Sequence, residues 1–128
     1  MLKLKSENYN ENLKFNVKHR AYLFSLNIIK FVATFPEKRV YWVIGDQLLR
    51  AGCSIGANLI EAQSFSSKKD FIRYYEIALK SDNETVYWLS LLKDTADVDP
   101  EKIEELASEA EEISRMTGAS IITMKKTL

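Results

Sequence analysis

Residues Val43 to Ala62 carry the apolar period of a helix, yet they include Gly45, Gly52 and Gly56. Each interior glycine costs a helix roughly 1 kcal/mol relative to alanine. A helix with this many needs a neighbour that comes close to its backbone and offsets the cost. Ile44, Leu48, Ala51, Ile55, Asn58, Ala62 and Phe65 fall at spacings of four and three, the seam of a bundle, with polar Asn58 inside it. Gly52 and Gly56 form a G-x-x-x-G suited to close helix packing. The partner this reading expects is Tyr74, Tyr75 or Trp88 of the following helix. A subunit interface is the alternative.

The same period runs before and after this stretch. Val17, Ala21, Phe24, Ile28, Phe31 or Val32, and Phe35 mark a first helix over 13–34. Phe35-Pro36 ends it, because a residue before proline is pushed out of the α region. Thr34 with Glu37 has capping-box spacing for a second helix over 38–64. Ser67 and Asp70 repeat that spacing ahead of a third, 68–96, whose stripe is Phe71, Tyr75, Ala78, Asp82, Thr85, Leu89 and Leu92. Asp99 as N-cap and Pro100 at the first helical position open a fourth, 99–117, with Ile103, Leu106, Ala110, Ile113 and Thr117 inward. Gly118 is expected to close it in the left-handed conformation. Residues 1–12 read as a flexible lead-in and 119–128 as a short tail. Nothing alternates with period two, so the expected fold is all-α, an antiparallel up-down-up-down four-helix bundle over 13–118.

Several kinds of chemistry find little support. The one histidine, His19, has no Glu-x-x-His partners for a di-metal bundle, and Cys53 has no second cysteine. There is no glycine-rich phosphate loop and no nucleophile–base spacing. No catalytic residue, metal or cofactor is therefore expected. One cysteine, no apolar run long enough to span a bilayer and no signal-peptide core point to a cytoplasmic protein with no membrane partner.

Charge is zero overall but unevenly placed. Residues 1–80 hold thirteen Lys/Arg against seven Asp/Glu, and residues 81–128 hold five against eleven. Lys14, Lys18, Arg20, Lys30, Arg39, Arg50, Lys68, Lys69 and Arg73, with Tyr41 and Trp42 nearby, combine phosphate contact with base stacking. They are the candidate nucleic-acid residues. Asn58 and Glu61 are expected to meet Arg73, Ser81, Asp82 or Glu84 in a polar network that fixes helix register. A small-ligand or metal site is the alternative there.

Val43 through Asn58, then Lys69-Asp70-Phe71-Ile72, Ile77-Ala78-Leu79 and Asn83 through Leu92 closely resemble the bacterial four helix bundle protein family. That family is also called the 23S rRNA intervening-sequence protein family. The resemblance spans roughly Phe24 to Thr95. It implies a bundle that assembles as a ring-shaped homopentamer, has no known catalysis, and has relatives encoded inside insertions in ribosomal RNA genes. A similar protein, the accessory variability determinant of diversity-generating retroelements, binds nucleic acid through a basic pentameric barrel. For this chain the resemblance implies a structural role for Gln47, Arg50, Ser54, Asn58, Glu61, Ala78 and Glu84. Leu49 stands where many members have a second arginine, and Ala62 where many have glycine. The resulting expectation is a non-enzymatic, homo-oligomeric binding protein associated with RNA or DNA; the alternative is a protein–protein scaffold without nucleic-acid binding.

Overall fold

Helix starts follow the capping chemistry of the sequence in three of four cases. The computed structural model describes residues 15–65, 67–95 and 97–128. The lead-in 1–12 and Lys14 lie outside the described residues. Helix α1 spans Val17–Val32, with the Asn16 side chain accepting from the His19 amide at 3.2 Å. Helix α2 spans Arg39–Glu61 and passes into a 3₁₀ turn at Ala62–Ser64. Its N-cap is Lys38, without a side-chain bond. The Thr34 hydroxyl instead donates back to the Phe31 carbonyl at 2.6 Å, so the expected Thr34–Glu37 capping box does not form. Helix α3 spans Lys68–Thr95, and Ser67 Oγ accepts from the Asp70 amide at 3.3 Å. Helix α4 spans Pro100–Lys125, capped by Asp99, which accepts from the Glu101 amide at 3.0 Å. No strand occurs among the described residues.

Gly118 does not end α4. No described glycine has a positive φ, and the helix continues for two more turns. The reason is the stripe: Ile121 lies one turn beyond Thr117, and staying helical buries it.

The helices pack side by side, with α1 on α2, α2 on α3, α3 on α4, and α4 back on α1. Direction follows from the pairs. Gly45 sits against Val32 and Phe35, Gly52 against Ile28, and Gly56 against Ala21, so α1 and α2 run antiparallel. Lys93 pairs with Glu104 and Glu76 with Lys125, which makes α3 and α4 antiparallel too. One end of the bundle therefore gathers the start of α1, the end of α2, the start of α3 and the end of α4. The core holds Phe24, Ile28, Leu48, Ile55, Leu59, Leu89, Ile103 and Ile113, all essentially without exposure.

The seam of α2 differs from the expected one in a consistent way. Asn58 is only half-buried, and Leu59 takes the core position beside it. Because α2 touches both α1 and α3, its buried face is broader than one stripe, and Gly45, Gly52 and Gly56 form its α1 side. The G-x-x-x-G thus packs within the chain, but against α1, not against the aromatics of α3. A Cβ on Gly56 would meet the Ala21 backbone at 3.5 Å, close enough to explain why small residues fill this contact.

Candidate nucleic-acid interface

The basic residues singled out from the sequence do not form one patch. Up-down topology carries Lys30 and Arg39, both exposed, to one end of the bundle and Lys68, Lys69 and Arg73 to the other. Two others are engaged in ion pairs along its length. Arg20 grips the Glu109 carboxylate of α4 through Nε at 2.9 Å and Nη2 at 2.5 Å, with Nη1 on the Met116 sulfur at 3.6 Å. Arg50 donates to Glu84 across the α2–α3 seam and to Gln47 Oε1 at 2.8 Å. Trp88 Nε1 donates to the same Glu84 carboxylate at 3.0 Å. Gln47, Arg50, Glu84 and Trp88 therefore make one cross-helix cluster.

That cluster replaces the network expected around Asn58. Asn58 turns back on its own helix, Nδ2 donating to the Ser54 carbonyl at 2.8 Å. Glu61 is exposed, and the Ser81 carbonyl accepts from the Thr85 hydroxyl at 2.7 Å. The signal that could have found the real cluster is the Glu84–Trp88 spacing, which puts an acceptor and an indole donor on one helix face.

The accessible basic residues divide between the two ends, and the group with aromatic rings beside it lies where α2 hands over to α3. Lys69, Arg73 and Lys125 border one hollow of about 500 Å³, along with Asp70, Glu76 and Leu128. The Arg73 guanidinium lies over the Tyr74 ring at 5.2 Å, and Tyr74 stacks on Phe65 with centroids 4.8 Å apart. Lys68 donates to the Thr127 hydroxyl beside them. Lys125 and Lys126 of the α4 end, which the sequence reading left out of the candidate set, join this group. Lys18, half-buried on the first turn of α1, is at the same end of the bundle.

Buried polar groups sit elsewhere. Asp82 is 2% exposed, and its Oδ2 has no hydrogen-bond partner among the described residues. Burial pushes its carboxyl up to about 7. Burial also raises the Cys53 thiol, opposed by a hydrogen bond from Ser25. His19 is buried, and no group of three His, Cys, Asp or Glu among the described residues could hold a metal ion. No described helix is long and apolar enough to cross a membrane.

A helical bundle with its polar chemistry spread over cross-helix ion pairs, and a small basic, aromatic end, defines a class of protein by fold and surface. More particularly, residues 13–119 match the 23S rRNA-intervening sequence protein family, and the chain belongs to that family. It is similar to a structure from Bacteroides thetaiotaomicron described as a protein with unknown function from the S23 ribosomal protein family. The two are 36% identical, with a TM-score of 0.77, covering 82% of this chain and 97% of that one. The comparison with curated proteins finds no match.

Proposed function

We propose that the chain is a non-enzymatic protein that assembles with itself and associates with RNA. The observation that carries this reading is the convergence of Lys69 and Arg73 on one hollow beside the Phe65–Tyr74 stack, with Lys125, held by Glu76 at 3.3 Å, on its border. Cations supply phosphate contact and release counterions, and half-buried aromatic rings beside them are the other component that single-stranded nucleic acid calls for. The family's name ties its members to ribosomal RNA genes and agrees with this partner. Structured RNA should bind at about 50 mM salt and fall off steeply as salt rises. Lys69→Glu with Arg73→Glu should lower the log–log salt slope by about 2, one unit per lost phosphate contact, with circular dichroism unchanged. Binding that is flat with salt, or indifferent to both changes, removes the reading.

A second surface favours self-assembly and, on its own, a scaffold role. Trp42 is 60% exposed, Val43 50% and Tyr87 57%, and Val40 lies open on the same stretch of α2. Trp42 and Val43 are neighbours near the start of α2, and exposed apolar surface commonly marks a protein–protein contact where it is contiguous. The resemblance implies a ring of five, which light scattering would report as five 14.7 kDa chains. Trp42→Glu with Val43→Glu should give a folded monomer. A wild-type monomer at micromolar concentration would count against self-assembly.

A further inference from the structure

Helix α1 is the shortest of the four, and α3 and α4 outrun it at one end of the bundle. Arg20, in the first turn of α1, reaches Glu109 and Met116 of α4, whereas α4 continues to Lys125. The last two turns of α4 therefore pass the start of α1, and the Glu76–Lys125 pair sets them beside the first turns of α3. Ser120 and Thr123 stand four and seven residues after Met116, so they continue the side of α4 that α1 touches lower down. With Phe71 and Tyr75 of α3 and Ala119 and Met124 of α4 they line a trough of about 380 Å³. A second hollow of about 250 Å³, bordered by Phe65, shares Phe71 and Met124 with it.

The chain enters α1 from this same end, so residues 1–14, outside the described part, lead in beside the trough. They carry Leu2, Leu4, Tyr9 and Leu13. Reach is no obstacle: the ten residues from Leu4 to Leu13 span up to about 33 Å when extended, against about 11 Å for two turns of α4. A second copy of the chain is the rival cover. The tethered segment outcompetes it, because a short linker holds its own side chains at an effective concentration on the order of millimolar. We propose that residues 2–13 dock in this trough, setting their leucines and Tyr9 against Phe71, Tyr75 and Met124 where a longer α1 would lie.

The docked segment removes aromatic and thioether surface from water at the open end of the core. It also holds the first turns of α3 and the last turns of α4, the turns that carry Lys69, Arg73 and Lys125. The docking stands on the trough and the tether, whether or not the basic end binds RNA.

Thermal melting and hydrogen exchange of the full chain, set against a chain lacking residues 2–13, test the proposal. The shortened chain should melt about 5 °C or more below the full one, from the loss of two or three buried apolar side chains. Its amides at 70–76 and 119–124 should exchange about tenfold faster, a larger change than at the opposite end of the bundle. Leu4→Ser with Leu13→Ser keeps the chain length and should reproduce at least half of the shift in melting temperature. Met124→Ala should lower the melting temperature of the full chain by more than that of the shortened one, the coupling expected of groups in contact. An unchanged melting temperature in the shortened chain overturns the proposal. So does an equal effect of Met124→Ala in both chains. Protection at 119–124 that rises with protein concentration also overturns it, because a second copy would then be the cover.

Discussion

Asparagine in place of Asp82 stabilises the protein at pH 8 and leaves it equal or weaker at pH 5. The carboxyl titrates at about 7 in the folded chain, against 3.8 without the fold, because burial disfavours the charged form. A proton is therefore bound more tightly by the native state. The stability this represents is fully present below about pH 4, is lost as pH rises from there to about 7, and is flat beyond. A displacement of about three pH units corresponds to about 4 kcal/mol at most. Asparagine does not titrate, but its amide is left short of partners in the same place, which costs about 1–3 kcal/mol at every pH. The difference in unfolding free energy between variant and wild type should thus climb by about 2–3 kcal/mol between pH 5 and pH 8, the part of the window that lies above pH 5. Urea titrations at four pH values between these limits measure it. A difference that stays constant with pH would show that Asp82 is already ionised in the folded protein at pH 5.

Asp82 also shows how far periodicity reaches. It shares the inward stripe of α3 with Tyr75, Ala78, Thr85, Leu89 and Leu92, and all of them are buried. Spacing alone places it there. What spacing lacks is the neighbour: nothing in a linear pattern says that Oδ2 would find no donor. The same limit explains the glycines. Three of them in α2 signal a close approach, but α1 and α3 both flank α2, and the side each glycine faces depends on the helix's rotation. Asn58 and Leu59 are adjacent, so a rotation of one residue exchanges a half-buried amide for a core leucine. The Arg50–Glu84 pair needs the α2–α3 register to within a turn, which the turn around Ala62–Ser64 sets only approximately. Gly118 carries a stop signal that the apolar stripe overrides, since Ile121 is worth burying. The basic residues were legible as types but not as a surface. Alternating helix direction sends Lys30 and Arg39 to one end and Lys69 and Arg73 to the other, and ion pairing engages Arg20 and Arg50 between them.

At the α1–α2 contact, two substitutions at Gly56 should move stability in opposite directions. Alanine places a Cβ at 3.4 Å from the Ala21 Cβ and 3.5 Å from its carbonyl carbon and oxygen, ordinary van der Waals separations. It also removes the flexibility that makes glycine a poor helix former, so Gly56→Ala should stabilise by up to about 1 kcal/mol. Leucine carries the next atoms into the backbone of α1, which cannot rotate out of the way as a side chain would. Forcing extra methylenes into a packed contact costs about 1–3 kcal/mol, and a backbone obstacle puts Gly56→Leu at or above the upper end. Gly52 offers a built-in comparison. Its Cβ would lie 3.1 Å from Ile28 Cγ1 and 3.2 Å from Cγ2, tighter than at Gly56 but against a side chain. Ile28 is fully enclosed and has little room to yield, so Gly52→Ala should be neutral or mildly destabilising although it removes the same glycine penalty from the same helix. Chemical denaturation of the three variants in parallel gives the order Gly56→Ala above wild type, Gly52→Ala at or below it, and Gly56→Leu well below. If Gly56→Leu matched wild type, α1 would not rest on this face of α2, and the close approach that organises the bundle would lie elsewhere.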